Sequence, residues 1–135
     1  MGRSLDYLET RPEFDRNRVA FMGESMGAAL GLDLTAVEER FKAVIFLDGG
    51  FYVEKPLPGT DQADFAPRLK AATLMISGKF DWIFLGKDAL IRLIGAPAAD
   101  KKAVTFDTAH DVTEQRADLV REVLAWLDKY LGKVN

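Results

Sequence analysis

Four short strand-like runs, residues 19–22, 42–47, 72–77 and 103–106, recur along the chain with helix-like segments between them. The first three are close to continuous apolar sequence, as in Ala43-Val44-Ile45-Phe46-Leu47, where a half-exposed strand would alternate apolar and polar. Buried strands separated by helices predict an α/β fold: a parallel sheet of about four strands with helices on both faces. The helical stretches are residues 25–40, 85–94 and 113–131. In the last of these, Val120, Val123, Leu124, Leu127 and Leu131 recur at three- and four-residue steps. Leu5 and Leu8 add an N-terminal helical turn that ends by Pro12, with almost nothing before it to act as a cap. That abrupt start reads either as a short surface helix with a frayed start or as a chain lacking an upstream half. Residues 51–66, with Pro56, Pro58 and Gly59, are long for a plain connection and predict a functional loop or a short helix.

Composition narrows the function. With 135 residues, 48% of them hydrophobic, the chain can bury one real core, so residues 1–135 are read as a single domain. Eighteen basic against 21 acidic residues leave no basic excess for a nucleic-acid partner. The absence of cysteine excludes disulfides, thiolate metal sites and a thiol nucleophile. No apolar run approaches the roughly 20 residues a spanning helix needs, so no membrane partner is expected. The N-terminus has no signal-peptide core, and the expected location is cytoplasmic.

Between the first strand and the first long helix lies Gly23-Glu24-Ser25-Met26-Gly27, a G-x-S-x-G pattern in the context a nucleophile elbow requires. A sharp strand-to-helix turn exposes the serine hydroxyl, and flanking glycines let the strand and helix backbones approach without Cβ clashes. A bare G-x-S-x-G is weak evidence, and a structural turn is the competing reading. Serine needs a base, and the base needs an orienting group. The single histidine, His110, follows the fourth strand. In a parallel sheet that places it on the same edge as Ser25, in the order serine, acid, histidine. A lone histidine is otherwise a solvated or capping residue. Asp81, after the third strand, is the first choice of acid, and Asp48, ending the second, competes with it. Asp107 and Asp111 sit too close to His110 in sequence to orient it and are read as helix-capping or solvated.

One oxyanion donor is expected from the backbone N–H of Met26, at the start of a helix. The second normally comes from the loop after an earlier strand, which this sequence does not contain. No cluster has metal-ligand spacing and no phosphate-binding glycine loop occurs, so neither metal nor cofactor is expected. Phe80, Trp82, Ile83, Phe84 and Leu85 could line an acyl pocket or simply pack.

Taken together, Arg18-Val-Ala-Phe-Met-Gly-Glu-Ser-Met-Gly, Arg40-Phe-Lys-Ala-Val-Ile-Phe-Leu-Asp-Gly-Gly, Ile76-Ser-Gly-Lys-Phe-Asp and the tail Ala125-Trp-Leu-Asp-Lys-Tyr-Leu-Gly resemble α/β-hydrolase-fold serine esterases. The likeness is to the dienelactone-hydrolase-like and acetyl-xylan-esterase-like group. It covers nearly all of this chain but only the C-terminal half of that fold, strands 5 to 8. The resemblance implies ester hydrolysis through an acyl-enzyme, with Ser25 as nucleophile, His110 as base, Asp81 as acid and no cofactor. It departs from the group at Ala109, where glycine commonly precedes the histidine, and at Phe84-Leu85-Gly86, where proline is frequent. The first strand, Val19-Ala20-Phe21-Met22, would then be a bare apolar edge, which soluble proteins avoid. A homodimer paired through it would extend the sheet to eight strands. The expected function is a carboxylic ester hydrolase acting on short acyl esters. The rivals are a non-catalytic half-fold that serves as an interaction module, and an enzyme using the same triad on a peptide or thioester bond.

Overall fold

A computed structural model describes residues 1–51, 57, 59–84 and 86–133. Four strands, β1 (Ala20–Glu24), β2 (Ala43–Leu47), β3 (Ala72–Gly78) and β4 (Lys101–Phe106), form one sheet in the order β1-β2-β3-β4. Every neighbouring pair is parallel, with Ala43 beside Ala20 and Ala72, and Gly78 beside Phe106. The helices are α1 (Gly2–Leu8), α2 (Met26–Ala36), α3 (Gln62–Phe65), α4 (Lys87–Leu93) and α5 (Arg116–Leu131). The four-strand α/β expectation holds.

Two differences from the sequence reading have local causes. The helix expected over residues 25–40 ends at Ala36, and the segment after it is tied down by Arg40. The Arg40 guanidinium bonds the Glu38 carboxylate, Asp6 at 2.7 Å and the Gly2 carbonyl at 3.2 Å, fastening α1 to the body of the domain. The last helix begins at Arg116, preceded by a 3-10 turn over Val112–Gln115 that Asp111 caps by accepting from Thr113 N at 2.9 Å. Of the loop expected over residues 51–66, residues 52–56 and 58 lie outside the described residues, and its end forms α3.

Alternation along the strands sorts the core into two layers. Val44, Phe46 and Met75 point to the face covered by α2, α3 and α4, joined by Leu32, Leu69, Leu90 and Ile94. Ile45, Leu47, Leu74 and Ile76 point to the other face, where Leu119 and Trp126 of α5 cover them with Val112. Both central strands are buried at every position, which accounts for their continuous apolar sequence. On the α2 side Phe21 packs edge-on against Phe41 and Phe46, with ring centroids 5.8 and 6.3 Å away. Fully burying a side chain such as Phe46 contributes on the order of 2–3 kcal/mol.

The two sheet edges differ. β4 presents Lys101 and Lys102, the latter paired with Glu122, a charged edge that discourages further pairing. β1 carries no charge from Ala20 to Gly23, and Met22 is 60% exposed. A cavity of about 220 Å³ beside it is lined by Met22, Leu47, Leu119, Val120, Val123 and Leu124. Among the described residues no helix is long and apolar enough to cross a membrane.

Asp33 on α2 keeps Oδ1 out of solvent with no hydrogen-bond partner among the described residues. Burial, and then the nearby Asp61 carboxylate, push its carboxyl above the ordinary value. A raised carboxyl pKa means the folded state holds the proton more tightly than the unfolded chain. Ionised Asp33 therefore opposes folding at neutral pH, and that cost disappears as pH falls below its unfolded value. Asp33→Asn is expected to raise Tm at neutral pH and to leave it unchanged near about pH 3, as read by thermal unfolding. A lower Tm at neutral pH contradicts this.

Candidate active site

The four strands end on one edge, and each delivers one polar residue there. Ser25 follows β1 immediately and serves as N-cap of α2, with φ 52° and ψ −116°. A side chain rarely adopts such a positive φ, and the backbone is held in it from both sides. Ser25 N–H donates to Leu47 O at 2.8 Å, while Ala28 N and Ala29 N donate to Ser25 O at 3.0 Å. Gly23 makes the elbow possible: a Cβ there would lie 2.4 Å from Gly27 O. Glu24 ends the strand, and Met26 opens α2 with an exposed side chain.

The histidine meets the serine as a parallel sheet requires. Ser25 Oγ lies 2.8 Å from His110 Nε2, across 85 residues of sequence. On the far side of the ring, His110 Nδ1 is 3.1 Å from Asp81 Oδ1. That approach falls outside hydrogen-bond alignment. The Asp81 carboxylate is fully buried, and its Oδ1 also accepts from Ile83 N at 2.9 Å and Phe84 N at 3.4 Å. Phe84 packs over the imidazole, with centroids 5.7 Å apart. Among the hydrophobic residues around Asp81, Phe84 is buried, Phe80 and Trp82 are exposed, and Leu85 lies outside the described residues.

Of the two carboxylates weighed from sequence, Asp81 stands at Nδ1. Asp48 is elsewhere engaged: it accepts from Gly78 N through Oδ1 at 3.0 Å and from Val112 N through Oδ2 at 2.8 Å. It is 1% exposed and has φ 45°. The sequence reading missed this arrangement. The only signal for it was an aspartate ending an apolar strand before Gly49-Gly50. Asp107 faces solvent, with Lys79 at 3.8 Å.

Asp48, Asp81 and His110 bring possible ligand atoms within 4.8 Å of one another. Both Asp48 oxygens and Asp81 Oδ1 are already taken up by backbone N–H groups, so this set is built to hold loops rather than to close around a metal ion. The acid and base loops are themselves in close contact. Lys79 N donates to Phe106 O at 2.8 Å and Phe80 N to Thr108 O at 3.0 Å, extending the β3–β4 ladder past the strands.

Residues 2–106 match the family described as BAAT / Acyl-CoA thioester hydrolase C terminal. The chain belongs to that family. No curated protein matches it significantly. Solved structures of the α/β-hydrolase fold share its architecture. One is a cold-adapted esterase from an Arctic intertidal metagenomic library, with TM-score 0.78, 21% identity, and coverage of 96% of this chain and 56% of that one. Another is the acylaminoacyl peptidase of Pyrococcus horikoshii, with TM-score 0.77 and 18% identity over 98% and 27%. A third is DcsB in complex with its substrate analogue, at 0.78 and 12% over 98% and 71%. The chain thus spans little more than half of the esterase and about a quarter of the peptidase.

The close approach of the two loops makes Gly78 a sensitive point. A Cβ at Gly78 would fall 1.7 Å from Ala109 O, a backbone atom next to His110. Gly78→Ala is expected to cost about 1–3 kcal/mol of stability by forcing the loops apart. Denaturant unfolding measures it, and a variant as stable as wild type would contradict the contact.

Proposed function

We propose that this member of the BAAT / acyl-CoA thioester hydrolase C-terminal family is a serine hydrolase that cleaves short-chain carboxylic esters through an acyl-enzyme. The observation that carries this reading is the line from Ser25 Oγ to His110 Nε2 at 2.8 Å and from His110 Nδ1 to Asp81 Oδ1 at 3.1 Å, ending on a serine held at φ 52°. In the tautomer with its proton on Nδ1, the imidazole accepts the serine proton at Nε2 as Oγ bonds to the acyl carbon. The carbonyl electrons move to oxygen, and the Met26 N–H at the start of α2 stabilises that oxyanion. When the carbon–oxygen bond to the leaving group breaks, Nε2 returns the proton to the departing alkoxide. Water then repeats the sequence on the acyl-enzyme. Asp81 keeps the ring oriented and favours the imidazolium. No cofactor or metal enters these steps, and the expected location is cytoplasmic.

A thioester reading is favoured by the family description itself. It uses the same residues with a thiolate as leaving group, which needs less help from the general acid because a thiol is far more acidic than an alcohol. A peptidase reading shares the triad but has no separate observation behind it.

The proposal includes a second copy of the chain. The uncharged run from Ala20 to Gly23 and the apolar cavity beside Met22 support antiparallel pairing of β1 with its two-fold mate, which would continue the sheet to eight strands. Such a partner could shield the serine and supply the second oxyanion donor.

Wild-type protein is expected to react with a fluorophosphonate at Ser25 and to hydrolyse p-nitrophenyl acetate and butyrate. Ser25→Ala should abolish both, and Asp81→Asn should lower kcat by about 10³–10⁴, as loss of a triad acid does. Comparing kcat/KM for short acyl-CoA substrates with the p-nitrophenyl esters ranks the two leaving groups. Absence of labelling, or hydrolysis that survives Ser25→Ala, would overturn the reading and favour a non-catalytic interaction module. For the assembly, light scattering at micromolar concentration should give the mass of a dimer, and Met22→Lys should shift it to monomer. A folded wild-type monomer sinks the pairing.

A further inference from the structure

Asp48 closes β2, and its N–H still belongs to the sheet, donating to Ile76 O at 2.8 Å. The chain then turns at φ 45°, a conformation that aspartate tolerates better than most residues. That turn sends the carboxylate into the body of the domain, between the end of β3 and the 3-10 turn over Val112–Gln115. There one oxygen takes Gly78 N–H and the other takes Val112 N–H. Gly78 lies three residues before Asp81, and Val112 lies two after His110. A single side chain therefore grips the roots of both loops that present the acid and the base.

The expense of this arrangement argues that it does more than fill space. Burying a carboxylate is costly unless its lone pairs are met. Burial pushes the Asp48 carboxyl above its ordinary value, the two N–H donors and His110 pull it back, and Asp81 adds repulsion. A neutral side chain would tie a loop down with neither the burial penalty nor the like charge of Asp81. What an aspartate adds is two acceptors fixed about a shared carbon, and a negative charge close to the imidazole.

We propose that Asp48 is a positioning residue for the hydrolytic site, setting the Asp81 and His110 loops in register and favouring the imidazolium formed during acyl transfer. It touches neither substrate nor Ser25, and acts through His110. The inference rests on the Ser25–His110–Asp81 reading above.

The test compares wild type with Asp48→Asn and Asp48→Gly, two replacements that suit a positive φ. Asparagine keeps the volume but turns an NH2 group toward one of the two N–H donors. Glycine removes both acceptors. Folding is checked by circular dichroism, and the readouts are fluorophosphonate labelling rate and ester hydrolysis across pH. In Asp48→Asn, kcat and the labelling rate are expected to fall about 10–100-fold, with KM changed less than about threefold. The rising limb of the pH profile should move to lower pH, because a neutral group no longer favours the imidazolium that Asp81 and Asp48 both face. Wild-type rates in a folded variant would overturn the inference, as would a slower variant whose pH limb stays in place, since that marks a purely structural tether. A wild type that does not label at all overturns the triad reading instead, which separates the two failures. An independent readout needs no variant. In the wild-type NMR spectrum the amide protons of Gly78 and Val112 should move together in one shared acid transition, and separate or absent transitions would count against the clamp.

Discussion

The backbone bonds from Ser25 N to Leu47 O and from Asp48 N to Ile76 O carry the parallel ladder one residue beyond β1 and β2. On the other side of the sheet, the bonds from Lys79 to Phe106 and Phe80 to Thr108 do the same for β3 and β4. A parallel sheet puts the carboxyl ends of all its strands on one side, and these extra rungs fix the first loop residues as firmly as the strands. The distance of 2.8 Å between Ser25 Oγ and His110 Nε2 is therefore a consequence of strand register. Shifting any strand by one residue would move its side chains to the opposite face and take its functional residue from the cluster.

That register is in turn held by the buried central strands. β2 and β3 expose no position, and their alternate residues feed the two core layers, with Thr73 and Ser77 the polar residues on the α2 side. Thr73 meets its own hydrogen-bonding need locally, by donating to Ala71 O at 2.9 Å. The site departs from this pattern of satisfaction. Two residues with side chains, Ser25 and Asp48, hold positive φ, and three ionisable groups, Asp48, Asp81 and His110, bring polar atoms within 4.8 Å of one another. Each strained backbone conformation costs on the order of 1–3 kcal/mol, comparable to what one well-buried side chain contributes. A rigid core can sustain this at a few positions, and they fall at the candidate site.

The sheet, its four strands and the meeting of Ser25 with His110 were legible in the sequence because each follows from a pattern with a strong physical cause. Continuous apolar strands imply burial on both faces, and burial between helices implies parallel order, which fixes the common edge. Small residues around Ser25 imply a close turn. The residues already favour Asp81 over Asp48 as the acid; what they do not encode is where each of the two carboxylates points. Asp81 and Asp48 have the same residue type and the same edge in the topology. Only the turn at φ 45° sends Asp48 to Gly78 and Val112, while the turn through Ile83 and Phe84 brings Asp81 to Nδ1. Side-chain direction after a strand end depends on a single backbone torsion, and no periodicity encodes it. The end of α2 at Ala36 was hidden for a related reason, since the Arg40 contacts that hold the following segment reach back to Gly2 and Asp6 at the far end of the sequence.

The two sheet edges show how one fold handles the same liability differently. β4 is closed to further pairing by lysines, and its Lys101 ammonium is drawn onto the carbonyls of Arg92 and Ile94 at the end of α4. β1 carries no charge before Glu24 at its end, and the helix layer on its Met22 side stops at α5, leaving Leu124 and Val120 exposed beside it. Apolar surface at a strand edge costs solubility unless something covers it. The same edge carries the serine at its carboxyl end, so whatever lies against β1 also borders the nucleophile. Covering the edge and enclosing the site are then one event. A partner strand there would remove an aggregation-prone surface and lower the dielectric around Ser25, which strengthens the oxyanion and imidazolium interactions on which hydrolysis depends.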